Sequence, residues 1–302
     1  MNSLINVCGK DIRVKGRLIR VAGLDADMYE FLEDPEPTLE AVRRFGVRVD
    51  LFTFMQRLPE TSPKYRYPLE WDNLAVLPVS TFDHWWTDQI GFKARNKAKQ
   101  AERKGVRLCE VPFDDALVRG IWELYNESPV RQGRPFVHYG KDKETVRREA
   151  GTFLDRSFFI GAFLENKMIG FVKLICDETR TQAGLVHILS LIGQRDKAPT
   201  NALIAAAVRS CAARQLPYLV YSRFDDGNKQ RDPLIDFKVR NGFKKFDLPR
   251  YYVPLTRLGL LAMNFGLHRN LTSFVPEPIL SRVRKLRNAW YNRQLESVKE
   301  EA

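Results

Sequence analysis

The chain has 302 residues, 44% of them apolar, and a formal net charge of +12. This size fits one large domain or two modest ones, and the charge predicts a polyanionic partner: tRNA, nucleotide phosphates, anionic lipid or acidic glycan. A basic surface without a specific partner is the alternative. Four scattered cysteines, no signal peptide and no apolar run of about twenty residues predict a cytoplasmic protein with reduced, mostly buried thiols.

The first part of the chain predicts a mixture of short strands and helices. Its apolar periodicity indicates strands at 13–21, 47–58 and 74–79, helices at 24–31 and 37–45, and a long loop at 59–72. A basic helix follows, which Thr81 or Asp83 can cap and which Gly105 ends. The stretch Lys93 to Lys104 gives this helix most of its positive charge.

From residue 106 onward, strands and helices alternate. The pattern predicts strands at 106–111, 157–164, 167–176, 184–192, 218–224 and 246–255, with a hairpin turn at Glu165-Asn166. It predicts helices at 114–126, 143–154, 198–214, 233–241 and 278–296, and a polar loop at 127–143.

Two motifs near the end of this series carry a family resemblance. The helix end Asp236-Phe237-Lys238-Val239-Arg240-Asn241-Gly242-Phe243 is followed by the strand Arg250-Tyr251-Tyr252-Val253-Pro254-Leu255. With the element order over 106–256, they resemble the GNAT acyltransferase superfamily, with closest likeness to the Fem-type (FemAB-like) peptidyl-bridge aminoacyltransferases. The resemblance implies an α/β (α+β) GNAT-like fold with a central mixed, mostly antiparallel sheet flanked by helices. It also implies a shortened N-terminal lobe at 1–92, a catalytic domain at 93–257 and a basic helical tail at 258–302.

The resemblance places the acyl donor at the start of the long helix. Where a coenzyme A site usually has two glycines, this chain has Ala198 and Thr200, and Pro199 lacks an N–H donor. This departure favours aminoacyl-tRNA over acyl-coenzyme A, although both stay open, as does an ordinary helix start without a ligand. The predicted donor-binding residues are Arg195, Lys197, Ala198, Thr200, Asn201 and Lys238.

Three residues are predicted to be catalytic. Lys238 stands where many GNAT enzymes have a tyrosine acid, and the Fem likeness implies that it contacts donor phosphate or stabilises developing negative charge. His187 on the central strand and His138 in the polar loop can each act as a general base. The alternatives are a solvated lysine and two histidines that only pack.

The acceptor pocket is predicted from the polar loop and the last strands. Aromatic and guanidinium groups together suit stacking and the binding of an anionic acceptor. The predicted residues are Arg131, Gln132, Arg134, Tyr139, Tyr221, Arg223, Arg250 and Tyr251. We find no motif for a metal, P-loop or dinucleotide site, so no metal or further cofactor is expected.

The predicted function is an acyltransferase that moves an acyl or aminoacyl group from a thioester or a tRNA ester to an amine, as in cell-envelope or polysaccharide assembly. The amine acceptor is lipid-linked or anionic in one version of this hypothesis. A non-catalytic binding module for nucleic acid, protein or a membrane surface is the alternative. The amphipathic stretch 278–296 leaves open a peripheral position at the inner membrane.

Overall fold

The computed structural model describes residues 3–225 and 233–268. Its strands are β1 Ser3–Val7, β2 Lys10–Lys15, β3 Val21–Leu24, β4 Leu51–Met55, β5 Leu69–Pro78, β6 Val106–Val111, β7 Val130–Arg131, β8 Arg134–Pro135, β9 Ser157–Leu164, β10 Lys167–Cys176, β11 Gln182–Ser190, β12 Tyr218–Arg223 and β13 Lys244–Pro254. Its helices are α1 Glu36–Arg44, α2 Phe82–His84, α3 Phe92–Arg103, α4 Asp115–Tyr125, α5 Lys143–Ala150, α6 Pro199–Ala213, α7 Pro233–Arg240 and α8 Arg257–Asn264. A π-helical turn, Trp85–Gln89, follows α2, and a 3-10 turn, Ile192–Lys197, precedes α6.

Eleven of these strands form a sheet in the order β1-β2-β3-β4-β13-β5-β12-β11-β10-β9-β6. Most of the neighbouring strands whose pairing is defined are antiparallel, and β3–β4 and β11–β12 are parallel. Strands β7 and β8 form a separate small hairpin. The predicted mixed, mostly antiparallel sheet with flanking helices is confirmed.

The chain divides into two compact units. Among the described residues, unit 1 contains 3–94, 174–186, 208–225 and 233–268, and unit 2 contains 95–173 and 187–207. The predicted catalytic domain at 93–257 stays a prediction, and strands late in the chain pair with strands of the first hundred residues. For example, β13 lies between β4 and β5.

Unit 1 has a core of aromatic and branched side chains. Phe52, Phe54 and Tyr251 are fully buried, and the ring of Phe54 stacks on that of Tyr251 with centroids 5.2 Å apart. Helix α8 lies so close to Asp50 that a Cβ added at Gly259 would be 1.9 Å from the Asp50 carbonyl oxygen. Glycine is therefore required where this helix packs.

Unit 2 has a core formed by α4, α5 and the strands that they cover. Helix α4 begins at Asp114, whose Oδ1 accepts from the Leu117 N–H at 2.9 Å, and it buries Leu117, Ile121 and Tyr125 at helical spacing. Strand β10 is buried along almost its whole length, as expected of an inner strand of the sheet.

Several predictions for local structure differ from the observed elements. Residues 24–31 form turns instead of a helix, with the Ala26 carbonyl accepting from both the Tyr29 and the Glu30 N–H. The predicted polar loop contains the β7–β8 hairpin, whose two-residue turn Gln132-Gly133 has positive φ at both positions. Two of the four cysteines, Cys8 and Cys109, are exposed instead of buried. The predicted helix at 278–296 lies outside the described residues.

Within residues 3–225 and 233–268, the structure has no helix that is both long enough and apolar enough to cross a bilayer.

Candidate functional site

His187 lies on β11 of unit 2, three residues beyond the end of a strand pairing. Hydrogen-bonded pairing between β11 and β12 covers Gln182–Gly184 and Tyr218–Val220. Burial is the main cause that lowers the pKa of His187 to about 4, so its imidazole is neutral at pH 7.

The hydroxyl of Tyr125, at the end of α4, is 3.0 Å from His187 Nδ1. Tyr125 is only 3% exposed, and burial raises the pKa of its phenol. The imidazole of His187 also packs on Phe171, with centroids 5.1 Å apart. An apolar wall and a single hydroxyl therefore hold this imidazole.

His138 follows the β7–β8 hairpin, and its ring stacks on that of Tyr125 with centroids 4.5 Å apart. Its Nδ1 is 3.2 Å from Lys141 Nζ, and Lys141 donates to both carboxylate oxygens of Glu149 at 2.8 and 2.7 Å. Burial and the Lys141 ammonium lower the pKa of His138. The structure thus brings the two predicted histidines together around Tyr125, with ring centroids 5.2 Å apart.

Arg131 joins the hairpin to the end of β11. Its guanidinium donates to the carbonyls of Ser190 and Leu124 and to Glu127 Oε2, each at 2.8 Å. The Glu127 carboxylate in turn accepts from the N–H groups of Ile192 and Gly193, at 2.7 and 3.0 Å. These contacts fix the start of the β11–α6 loop, Leu191–Ala198. They also occupy much of the Arg131 guanidinium, which was predicted to bind the acceptor.

The remaining predicted acceptor residues of the hairpin are exposed. Gln132 occupies the turn, Arg134 begins β8, and Tyr139 lies just beyond the hairpin with 47% of its surface exposed. These three side chains form the solvent-facing edge of the loop that carries His138.

The β11–α6 loop contains the predicted donor residues. Ala198 has the left-handed conformation, with φ 52° and ψ 43°, and its N–H donates to the Arg195 carbonyl at 3.0 Å. Thr200 Oγ1 is 2.8 Å from Ser190 Oγ, which ties the start of α6 to the end of β11. Arg195 is exposed, and the side chains of Lys197 and Asn201 are partly buried.

Lys173 is a buried cation that the sequence did not single out. It lies on β10 with 3% of its surface exposed, and its Nζ donates to the Ala150 carbonyl at 2.8 Å and to the Thr152 carbonyl and hydroxyl at 2.6 and 2.9 Å. Three acceptors match the three donors of an ammonium. Burial lowers the pKa of Lys173 to about 8, so the group is charged at pH 7 and compensates the end of α5.

Unit 1 holds the other predicted residues in an internal network. Arg250 donates to Asp72 Oδ2 and to Asp27 Oδ2, both at 2.8 Å, and Arg223 Nε donates to Asp72 Oδ1 at 2.8 Å. Burial opposes the charge on Asp72, but the two guanidinium groups outweigh it and hold the pKa of this carboxyl below its usual value. The Tyr251 hydroxyl donates to Gln56 Oε1 at 2.6 Å, inside the core.

Lys238 is 3% exposed, on α7. Its Nζ donates to the carbonyl of Arg223, at the end of β12, and lies 3.5 Å from the carbonyl of Phe224. The ammonium is also 5.3 Å from the ring centroid of Tyr221. These contacts are internal to unit 1, and the predicted contact of Lys238 with a donor stays a prediction.

Sequence reasoning missed Tyr125, Glu127 and Lys141, although each has a polar group beside a predicted histidine or loop. Tyr125 follows the apolar face of α4, which made it indistinguishable from a packing residue. Within the described part of the chain, no group of three or more His, Cys, Asp and Glu side chains is placed to hold a metal ion.

The fold was compared with known proteins. No family model matches the chain, and no curated protein matches it in sequence. Many solved structures are similar to it, and three of them illustrate the shared fold. The C-terminal domain of a protein assigned as a lysylphosphatidylglycerol synthetase from Agrobacterium fabrum has a TM-score of 0.57 at 11% identity over 88% of each chain. L-PGS from Bacillus licheniformis gives 0.55 at 13% identity over 87% of each chain, and FemX gives 0.52 at 10% identity over 82% of this chain and 87% of that one.

The chain has a GNAT-type, Fem-like fold. The likeness covers most of both chains, so it extends well beyond the half that carried the sequence motifs. His187 lies three residues before the end of β11, the strand that leads into the loop where the family resemblance places the donor. At 10–13% identity the likeness concerns the fold, and the reaction is a separate proposal.

Proposed function

We propose that the protein transfers an aminoacyl group from the ester of an aminoacyl-tRNA to an amine acceptor. The observation that carries this proposal is the contact between the basic helix α3 and the β11–α6 loop. Gln100 Nε2 donates to the Asp196 carbonyl at 2.7 Å, and Lys104 Nζ donates to the Asp196 carboxylate at 2.9 Å. The most basic helix of the described chain therefore lies against the loop predicted to hold the donor.

Helix α3 presents its charges to solvent. Ala98 and Ala101 face the protein interior, whereas Lys97, Lys99 and Arg103 are exposed. Exposed cations on one helix can neutralise phosphates of a nucleic acid and release their counterions. Such a surface suits a tRNA better than it suits a single small thioester.

The backbone of the β11–α6 loop argues against coenzyme A. A pyrophosphate at a helix start needs free backbone N–H groups and close approach. Here the Ala198 N–H already donates to the Arg195 carbonyl, and Pro199 has no N–H. Ala198 at the end of the loop and Pro199 at the start of α6 therefore have no free N–H to offer a pyrophosphate.

The proposed reaction needs positioning more than covalent help. The amine nitrogen attacks the carbonyl carbon of the donor ester and forms the new C–N bond. The C–O bond to the tRNA ribose then breaks, and the proton lost by the amine is taken up by the leaving ribose oxygen. Holding the two reactants together and stabilising the tetrahedral oxyanion are the main contributions that a protein can make.

The acceptor is proposed to be an amine on a lipid-linked or anionic molecule. The exposed residues Gln132, Arg134 and Tyr139 support this choice, because a guanidinium beside a phenol can bind an anionic group. The name of one neighbour, lysylphosphatidylglycerol synthetase, states an aminoacylated lipid as the product of that protein. We therefore propose a peripheral contact with the membrane when the acceptor is bound.

The test uses total tRNA charged with ¹⁴C-labelled amino acids, together with a bacterial lipid extract and a set of soluble amines. We expect a protein-dependent loss of label from tRNA and recovery of the label in an alkali-stable amide. Recovery in an alkali-labile lipid ester would change the acceptor from an amine to a hydroxyl. Loss of label with ¹⁴C-acetyl-coenzyme A only, or binding of charged tRNA without any transfer, would contradict the proposal, and the second result would favour a binding module.

A further inference from the structure

The hydroxyl of Tyr125 has one hydrogen-bond partner within residues 3–225 and 233–268, which is Nδ1 of His187 at 3.0 Å. Tyr125 is 3% exposed, so water does not replace a missing partner easily. A buried hydroxyl proton without an acceptor would cost about 1–3 kcal/mol. Which of the two atoms carries the shared proton therefore depends on which arrangement leaves no buried group without a hydrogen-bond partner.

The phenol must be the donor in this pair. If His187 donated from Nδ1, the Tyr125 proton would have no acceptor, whereas donation from the phenol satisfies the hydroxyl. Burial raises the pKa of Tyr125, which keeps the proton on the phenol oxygen. Nδ1 of His187 is thus an acceptor, and in the neutral ring the only N–H is at Nε2.

The neighbouring imidazole has a different arrangement. Nδ1 of His138 is 3.2 Å from Lys141 Nζ, which can only donate, and 3.6 Å from Glu149 Oε2, which can only accept, so these contacts do not select one tautomer. The tautomer assignment therefore concerns His187 alone. The lone pair that His187 would use as a general base already accepts from Tyr125.

We propose that Tyr125 is a positioning residue that fixes His187 as the neutral Nε2–H tautomer, and that this N–H donates a hydrogen bond to the carbonyl oxygen of the acyl donor. The second half of the proposal rests on the proposed transfer reaction. Nε2 of His187 has no partner in the described part of the chain, and the side chain is only partly buried, so the group is available to a ligand.

Burial and the surrounding charges together keep the imidazole of His187 neutral. Burial is the largest cause that lowers its pKa to about 4, and His138, Lys173 and Arg131 lower it further, while Glu149 opposes them. Neutral imidazoles are known hydrogen-bond donors to substrate carbonyls in other enzymes. In this role the N–H interacts most strongly with the oxyanion that forms after the amine attacks.

This assignment changes the role predicted for His187. Its ring does not remove the proton from the attacking amine, because its one lone pair accepts from the Tyr125 hydroxyl. The proton of the amine instead passes to the leaving ribose oxygen, as the proposed reaction requires. The transfer rate should therefore follow the protonation state of the amine and not a histidine of ordinary pKa.

The test is ¹⁵N NMR of the full-length protein labelled at histidine, followed by transfer assays. In the wild type, we expect His187 to show a protonated Nε2 and an unprotonated Nδ1, and to stay neutral down to about pH 5 because its pKa is lowered to about 4. Tyr125→Phe should release Nδ1, give a mixture of tautomers and lower kcat about tenfold. Tyr218→Phe, a tyrosine in unit 1, is the matched control and should leave both readouts unchanged.

The outcomes separate the two proposals. A protonated Nδ1 in the wild type overturns the tautomer assignment whether or not transfer is seen. If Nδ1 is unprotonated in the wild type but kcat is unchanged in Tyr125→Phe, the proposed role of the tautomer in transfer is overturned. If no donor supports transfer, the proposed function fails, while the NMR spectra still decide how Tyr125 and His187 share the proton.

Discussion

Two buried lysines show how the chain uses cations inside its units. The Lys173 ammonium donates to acceptors at the end of α5, and the Lys238 ammonium donates to a carbonyl at the end of β12. In each case the ammonium donates to backbone carbonyl oxygens, so the charge is hydrogen-bonded inside the fold. Lys238 was predicted from the family motif as a donor-binding residue, and its position in the structure gives it a stabilising contact as well.

We predict that Lys238→Met lowers the free energy of unfolding by about 2–4 kcal/mol, because it leaves the Arg223 carbonyl without this donor. Lys244→Met, an exposed change on β13, is the control and should shift stability by no more than about 0.5 kcal/mol. Urea denaturation measures both. Unchanged stability combined with lost transfer would instead make Lys238 a donor contact, as the family resemblance implies.

The sequence identified the histidines but not their hydrogen-bond partners. His138 and His187 could be selected because imidazole is suited to chemistry at neutral pH. The partner of His187 lies 62 residues away on a helix whose apolar face looks like ordinary packing. Which nitrogen of a ring holds the proton depends on such long-range contacts, so no local pattern could predict it.

At the scale of elements, the basic helix α3 has the most direct consequence for the proposed binding of tRNA. Its alanines face inward at helical spacing, and its exposed cations lie on a helix that contacts the β11–α6 loop. The sequence predicted the basic stretch as helical because a basic amphipathic pattern is strong. The single helix predicted from Thr81 or Asp83 is instead interrupted at Ile90 and Gly91, before α3 begins. The contact of α3 with Asp196 could not be predicted, because that residue is 96 positions beyond Gln100.

We predict that the triple variant Lys97→Gln, Lys99→Gln and Arg103→Gln weakens tRNA binding and reduces its salt dependence. Each lost phosphate contact should lower the slope of log K against log salt by about 0.7–0.9. The matched control removes three exposed charges in unit 1, Lys15→Gln, Arg17→Gln and Arg43→Gln. Filter binding from low to moderate salt measures both variants, and equal slopes for the two would mean that α3 makes no phosphate contacts.

Local elements were predicted where the pattern was long or the turn chemistry was specific. The hairpin turn at Glu165-Asn166 is present between β9 and β10, and Glu165 has positive φ. The β7–β8 hairpin was missed, although Gln132-Gly133 gives it a two-residue turn. Its strands have two residues each, which is too short for an alternating pattern to show.

At the scale of the whole molecule, the sequence predicted the fold class but not how its sheet is shared along the chain. The shortened N-terminal lobe at 1–92 stays a prediction. In the structure β13 lies between β4 and β5, and β12 pairs with β5. Pairings between residues almost two hundred positions apart are set by tertiary packing, which a pass along the sequence does not reveal.

Our central claim is that the donor is aminoacyl-tRNA, and a comparison of donor affinities tests it most directly. We would measure the dissociation constants of aminoacyl-tRNA and acetyl-coenzyme A for the full-length protein by calorimetry, in one buffer at low salt. The Ala198-Pro199 backbone and the cations of α3 predict that charged tRNA binds at least about 100-fold more tightly, a difference of about 2.7 kcal/mol. A sub-micromolar dissociation constant for acetyl-coenzyme A, with weaker binding of charged tRNA, would contradict the claim.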